Sequence, residues 1–177
     1  LKTQESARVK EEGQGNGKRV LVIGGLGRMG AWFSEFMSMQ GYEDHIADIH
    51  LDKEDESHFI NSSDTNDDYD ITVIATPLRQ SIEILEKILE TGRSGILFDI
   101  ASIKSPIKEI LSKISEKGMR VTSIHPMFGP DTDLLTGKHV VFMNLDEHET
   151  HLEIMKLFES TTAQLIEMSI DSHDYAI

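Results

Sequence analysis

Apolar runs alternate along this chain with stretches whose apolar positions recur every three or four residues. Val20 to Ile23 is continuously apolar, as expected of a strand covered on both faces. A helix is predicted from Met29 to about Gln40, with Trp32, Phe33, Phe36, Met37 and Met39 on its core-facing side and Gly41 as its stop. The pattern then gives strands at Tyr42–Ala47, Asp70–Thr76, Gly95–Ile100, Arg120–Ile124, His139–Met143 and Gln164–Met168. Helices are predicted at Ser81–Glu90, from Pro106 to about Lys117, and at Glu147–Thr161. Residues 1–18 are polar and read as a linker, and Leu51–Tyr69, dense in acids, as a short helix with a solvated loop. Strand and helix in turn give an α/β domain: a doubly wound, mostly parallel sheet with helices on both faces.

The first strand runs into Gly25-x-Gly27-x-x-Gly30 and the predicted helix. Gly25 allows a sharp turn, Gly27 lets an anion approach the backbone, and Gly30 lets helix and strand pack closely. The first helical turn offers unpaired N–H groups and a positive dipole end, and Leu26, Arg28 and Met29 join the three glycines in the expected cofactor site. Strand, glycines and helix in this order make the sheet one of Rossmann type, binding a dinucleotide. Asp48 ends the next strand, where a carboxylate accepts hydrogen bonds from ribose hydroxyls and repels a 2′-phosphate. With no arginine close behind it, NAD is expected over NADP; the plainer reading of Asp48 is a solvated acid. Ligands of such sheets bind beyond the carboxyl ends of the strands. Gly25 to Gly30, Asp48, Thr76, Pro77, Ser102, Lys104 and His125 all fall at those ends.

The formal charge of −14 argues against a nucleic-acid partner held through phosphates. The absence of cysteine excludes disulfides, thiolate metal sites and cysteine nucleophiles. No apolar run is long enough to span a bilayer and no signal peptide is visible, so a cytoplasmic protein is the default expectation. No histidine spacing makes a convincing metal site, and His45, His50, His58, His139, His148 and His151 are expected at the surface.

His125 is followed by Pro126 and, after Met127 and Phe128, by Gly129 and Pro130, which stiffen its loop. A neutral imidazole beside a nicotinamide can take a hydroxyl proton as the neighbouring carbon loses hydride, with Ser102 orienting the ring. Equally, His125 can cap a turn and Ser102 the helix at Pro106.

Taken together, Gly24 to Gly30, Asp99-Ile100-Ala101-Ser102-Ile103-Lys104 and His125-Pro126-Met127-Phe128-Gly129-Pro130-Asp131 resemble the prephenate dehydrogenases of tyrosine biosynthesis. The likeness runs from about Arg19 to Ile177. It implies oxidative decarboxylation of prephenate to 4-hydroxyphenylpyruvate with hydride passed to NAD⁺ or NADP⁺. It also implies a catalytic His125, a Ser102 that positions it near the nicotinamide, and a Lys104 in the substrate site. The substrate-clamping arginine and the dimer contacts of the family come from a C-terminal helical domain. Arg28, Arg79, Arg93 and Arg120 are poorly placed to replace that arginine.

The expected organisation is a linker or remnant at 1–18, an NAD-binding domain at 19–170, and the start of a truncated helical domain at 171–177. A fused chorismate mutase before residue 19 and a homodimer formed by the missing domain follow from the family. Such a fragment is expected to bind NAD(H) and turn over little prephenate alone. Arogenate dehydrogenase, and a dinucleotide-binding regulatory module without turnover, are the alternatives.

Overall fold

A computed structural model describes residues 15–49 and 68–177. Most of the linker at 1–18 and nearly all of the acidic stretch at 51–69 therefore lie outside the described residues. The first half of the fold comprises β1 (Arg19–Ile23), α1 (Arg28–Met39), β2 (Glu43–Ala47), β3 (Ile71–Ile74), α2 (Leu78–Thr91) and β4 (Ile96–Asp99). The second comprises α3 (Lys108–Glu116), β5 (Arg120–Pro126), β6 (His139–Met143), α4 (Thr150–Lys156), β7 (Gln164–Met168) and α5 (Ile170–Ala176).

The strands form one sheet in the order β2-β1-β3-β4-β5-β6-β7. β1 lies between β2 and β3 with Val20, Leu21 and Val22 sealed from solvent, which is why that segment is uniformly apolar. Successive residues serve opposite faces. Val140 and Phe142 join the aromatic core under α1 and α4, with Phe33, Phe36, Phe98 and Phe158. Val141 and Met143 join the aliphatic core under α2 and α3, with Leu85, Ile88, Leu111 and Ile114. The stripe on α1 is thus core, apart from Met39, which is exposed.

The sheet is parallel from β2 through β5, and β6 then pairs antiparallel to β5, with Ser123 opposite Met143 and Pro126 opposite Val140. Residues 127–138 double back without a crossover helix, and only an antiparallel neighbour can be reached that way. β7 returns parallel to β6 through α4. The pairing also lengthens β5 by two residues beyond the expected Ile124, placing His125 inside a strand, opposite Val141. α4 is shorter than its pattern. It starts where the Asp146 carboxylate receives the Thr150 amide at 2.9 Å and breaks into tight turns after Lys156.

Candidate functional site

The glycine turn is built by close contact. Gly24, with φ +84°, turns the chain off β1, one position earlier than the expected Gly25. Gly25 is instead confined by Ile46, whose side chain fills the space a Cβ would need. A Cβ on Gly30 would overlap the Gly24 carbonyl oxygen, so only glycine lets α1 pass so near the turn. Gly27 caps α1 without a side chain, leaving the first-turn amides for an anion. Asp48 closes the turn from β2, its Oδ2 accepting from the Leu26 amide at 3.1 Å.

Across the sheet switch, Thr76 and Pro77 lead into α2, and Thr76 Oγ1 sits 2.9 Å from Ser81 Oγ. Gly24, Leu26, Gly27, Asp48, Thr76 and Pro77 line one cleft of about 990 Å³. The bare helix terminus and the cradle that a Cβ would fill fit the dinucleotide expected from sequence; the cleft itself runs on along α2 to Ser94 and is not lined by His125 or Ser102.

His125 is 8 % exposed. Its Nδ1 lies 2.9 Å from His173 Nε2, and His173 Nδ1 lies 2.7 Å from Asp174 Oδ1. Both partners come from α5, packed over the strand ends. The Asp174 carboxylate also receives the amides of Lys104 and Ser105, at 2.9 and 2.7 Å, and the Ser105 hydroxyl. Burial opposes its ionisation, yet these hydrogen bonds from Ser105, His173 and the two amides hold Asp174 below the usual carboxylate range. Burial, then the Lys104 ammonium, then His173 lower the pKa of His125 to about 4, so its imidazole is neutral near pH 7. Its Nε2 makes no hydrogen bond among the described residues.

Two expected placements change. Lys104, expected in the substrate site, is fully buried: Nζ donates to Asp99 Oδ1 at 3.0 Å and to the Ile124 carbonyl at 2.8 Å. It lies beneath His125 as charge inside the protein rather than as a surface contact. Ser102, expected to orient His125, is exposed and has no hydrogen-bond partner among the described residues; His173 occupies the ring nitrogen instead. His173 and Asp174 escape a sequence reading because they are 48 and more residues from His125 and only the return of α5 brings them in.

The loop after His125 is fastened to α1. Trp32 Nε1 donates to the Thr132 carbonyl at 3.0 Å, Trp32 and Phe128 have ring centroids 4.8 Å apart, and Arg28 pairs with Asp131 at 2.6 Å. The other arginines are engaged too: Arg79 with Glu83, Arg120 with Glu153, and Arg93 over the Tyr69 ring. His151 is buried rather than at the surface, with Nε2 3.2 Å from Glu167 Oε1. Among the described residues there is no cluster of metal-ligating side chains, and no helix long and apolar enough to cross a membrane.

The family model described as "Prephenate dehydrogenase, nucleotide-binding domain" matches residues 43–167. The chain belongs to this family. A "T-protein" of Enterobacter agglomerans is 26% identical over 155 residues, covering 88% of this chain and 39% of its own length. A protein of Methanocaldococcus jannaschii named "Probable arogenate/prephenate dehydrogenase" is 25% identical over 166 residues, covering 88% of this chain and 37% of its own. The chain therefore spans about two fifths of the length of these curated relatives. Among solved structures, Aquifex aeolicus prephenate dehydrogenase with hydroxyphenyl propionate and NAD⁺ superposes with a TM-score of 0.69 at 21% identity. That match covers 90% of this chain and 62% of the other, and it establishes the shared fold.

Proposed function

We propose that this chain is the nucleotide-holding part of an NAD-dependent prephenate dehydrogenase, forming 4-hydroxyphenylpyruvate for tyrosine biosynthesis. The reading rests on one observation above others: the loop leaving His125 is bound to α1, the helix that opens the glycine cradle, through Trp32, Phe128, Arg28 and Asp131. An anion cradle and a neutral imidazole thus belong to one rim of one sheet.

A bound nicotinamide ring supplies the acceptor for hydride from the hydroxyl-bearing carbon. His125 Nε2 takes the hydroxyl proton as that carbon becomes a carbonyl. The ring carboxylate leaves as CO₂, its bonding pair makes the ring aromatic, and His125 returns the proton to the phenolate oxygen. The first-turn amides of Arg28 to Gly30 would hold the pyrophosphate and Asp48 the adenosine ribose, and Thr76 and Pro77 line the cleft beyond. Ser102 lies at the exposed rim, where it contacts nicotinamide or substrate. Asp48 supports NAD over NADP, because a 2′-phosphate would meet its charge.

Prephenate carries two carboxylates, which call for guanidinium partners. Arg28, Arg79 and Arg120 pair with acids and Arg93 lies over Tyr69, and the family resemblance places the clamping arginine in a C-terminal helical domain. On this reading the chain alone binds NAD(H) and turns over little or no prephenate. Arogenate differs from prephenate away from the reacting ring, and the Methanocaldococcus relative's name carries both substrates. Comparing the two substrates on the full-length protein decides between them. The decisive test of the whole reading is His125→Asn in that protein. Turnover should fall by at least about a hundredfold with NAD affinity within twofold, as expected for loss of a general base; unchanged turnover would overturn the assignment.

A further inference from the structure

Three side chains in series, Asp174, His173 and His125, are joined by two hydrogen bonds whose directions are fixed by chemistry. An ionised carboxylate only accepts, so His173 Nδ1 carries a proton and donates it to Asp174 across 2.7 Å. In neutral His173 the other nitrogen, Nε2, is then an acceptor. Facing it at 2.9 Å, His125 Nδ1 supplies the donor. His125 has a single ring proton when neutral, so its Nε2 is left with a bare lone pair.

We propose that His173 and Asp174 are positioning residues that lock His125 into the Nδ1–H tautomer, the one form able to receive a proton at Nε2. This rests on the reading of His125 as the group that takes the hydroxyl proton. The sequence reading offers Ser102 as the orienting group or as a helix cap, and Ser102 makes no hydrogen bond to the ring. Asp174 has a second duty in the same device. By accepting from the amides of Lys104 and Ser105 it ties the loop between β4 and α3, which carries Ser102, to α5. One carboxylate therefore sets both the imidazole and the neighbouring loop.

The test has two arms. Imidazole ¹⁵N spectra of the full chain at pH 8 should show His125 with a protonated Nδ1 and an unprotonated Nε2. A signal from the Nε2–H form would overturn the proposal without any variant having to fold. In the full-length protein, His173→Ala should lower kcat about ten- to a hundredfold while the Kd for NAD stays within twofold. His173→Gln, whose side-chain oxygen can accept from Nδ1, should recover much of that loss. His173→Lys, which can only donate, should do worse than alanine. Equal losses in all three folded variants would reduce the pair to packing and overturn the proposal. The two readings fail separately: an Nδ1–H tautomer together with full turnover in His125→Asn removes the catalytic assignment and leaves the lock standing. An Nε2–H tautomer with an inactive His125→Asn does the reverse.

Discussion

Nζ of Lys104 lies 3.0 Å from Oδ1 of Asp99, and both side chains are completely sealed from solvent. Asp99 Oδ1 also accepts the Ala101 amide at 2.9 Å, while its Oδ2 is left without a partner. The pair anchors the start of the loop that carries Ser102 and passes under β5 through the Ile124 carbonyl. Burial lowers the pKa of Lys104, and Asp99 opposes the change.

Removing one charge strands the other in a dry interior. Lys104→Met is expected to cost about 3–5 kcal/mol of stability. Asp99→Asn combined with Lys104→Met should cost clearly less than the sum of the single changes. Urea unfolding of the four proteins measures this. A wild-type midpoint for Lys104→Met, with a raised KM for substrate, would instead return Lys104 to the substrate site.

Gly30 leaves no room for a methyl group against the Gly24 carbonyl. Gly30→Ala should lift α1 from the turn, costing roughly 1–3 kcal/mol as overpacking does. NAD affinity should fall at least about tenfold, because the first-turn amides move with the helix. Isothermal titration and a thermal melt on the same sample separate the two effects.

Asp48 already accepts the Leu26 amide, so its carboxylate is oriented before any ligand arrives. Asp48→Ser should weaken NAD by about 1.5–3 kcal/mol, the scale of a lost charged hydrogen bond. NADP should be weakened less or strengthened, since a repelling charge is gone. The ratio of the two dissociation constants is the readout, and an unchanged ratio would remove Asp48 from cofactor selection.

The proton balance of His125 makes stability depend on pH. Its folded pKa, about 4, lies below the ordinary 6.5. Between those values the unfolded chain binds a proton that the folded chain refuses, so stability is full above about pH 6.5 and declines toward pH 4. Roughly 2 kcal/mol is expected for this one group after allowing for water at the cleft. Asp174, also depressed, adds its own loss at lower pH still. Urea midpoints at pH 7.5, 5.5 and 4.5 should fall in order, and His125→Asn should flatten the upper part of the decline.

The order of strands and helices was legible because the apolar period changes cleanly between them. β6 and β7 fall at the expected residues, as does the apolar face of α2 with Leu85 and Ile88 inward. The reversal of β6 was hidden, since an edge-side strand reads alike in either direction and the deciding feature is the helix-free connection at 127–138. Local motifs gave Gly24 to Gly30, Asp48 and His125. They did not give what His125 bonds to: Ser102 is near in motif but is exposed and makes no hydrogen bond among the described residues, while His173 arrives from 48 residues away. Lys104 was misplaced for a related reason. Its place in the substrate site came from the family likeness alone, and no local pattern announces that Asp99 and the Ile124 carbonyl meet it inside the fold.

Trp32 is the single tryptophan of the chain, and it rests between the cradle helix and the strap that follows His125. Its indole is therefore a native fluorophore at the hinge between the two halves of the rim. Any lifting of Thr132 or Phe128 from it exposes the indole to water and changes the emission colour, so the seating of this strap can be followed in real time with no dye attached.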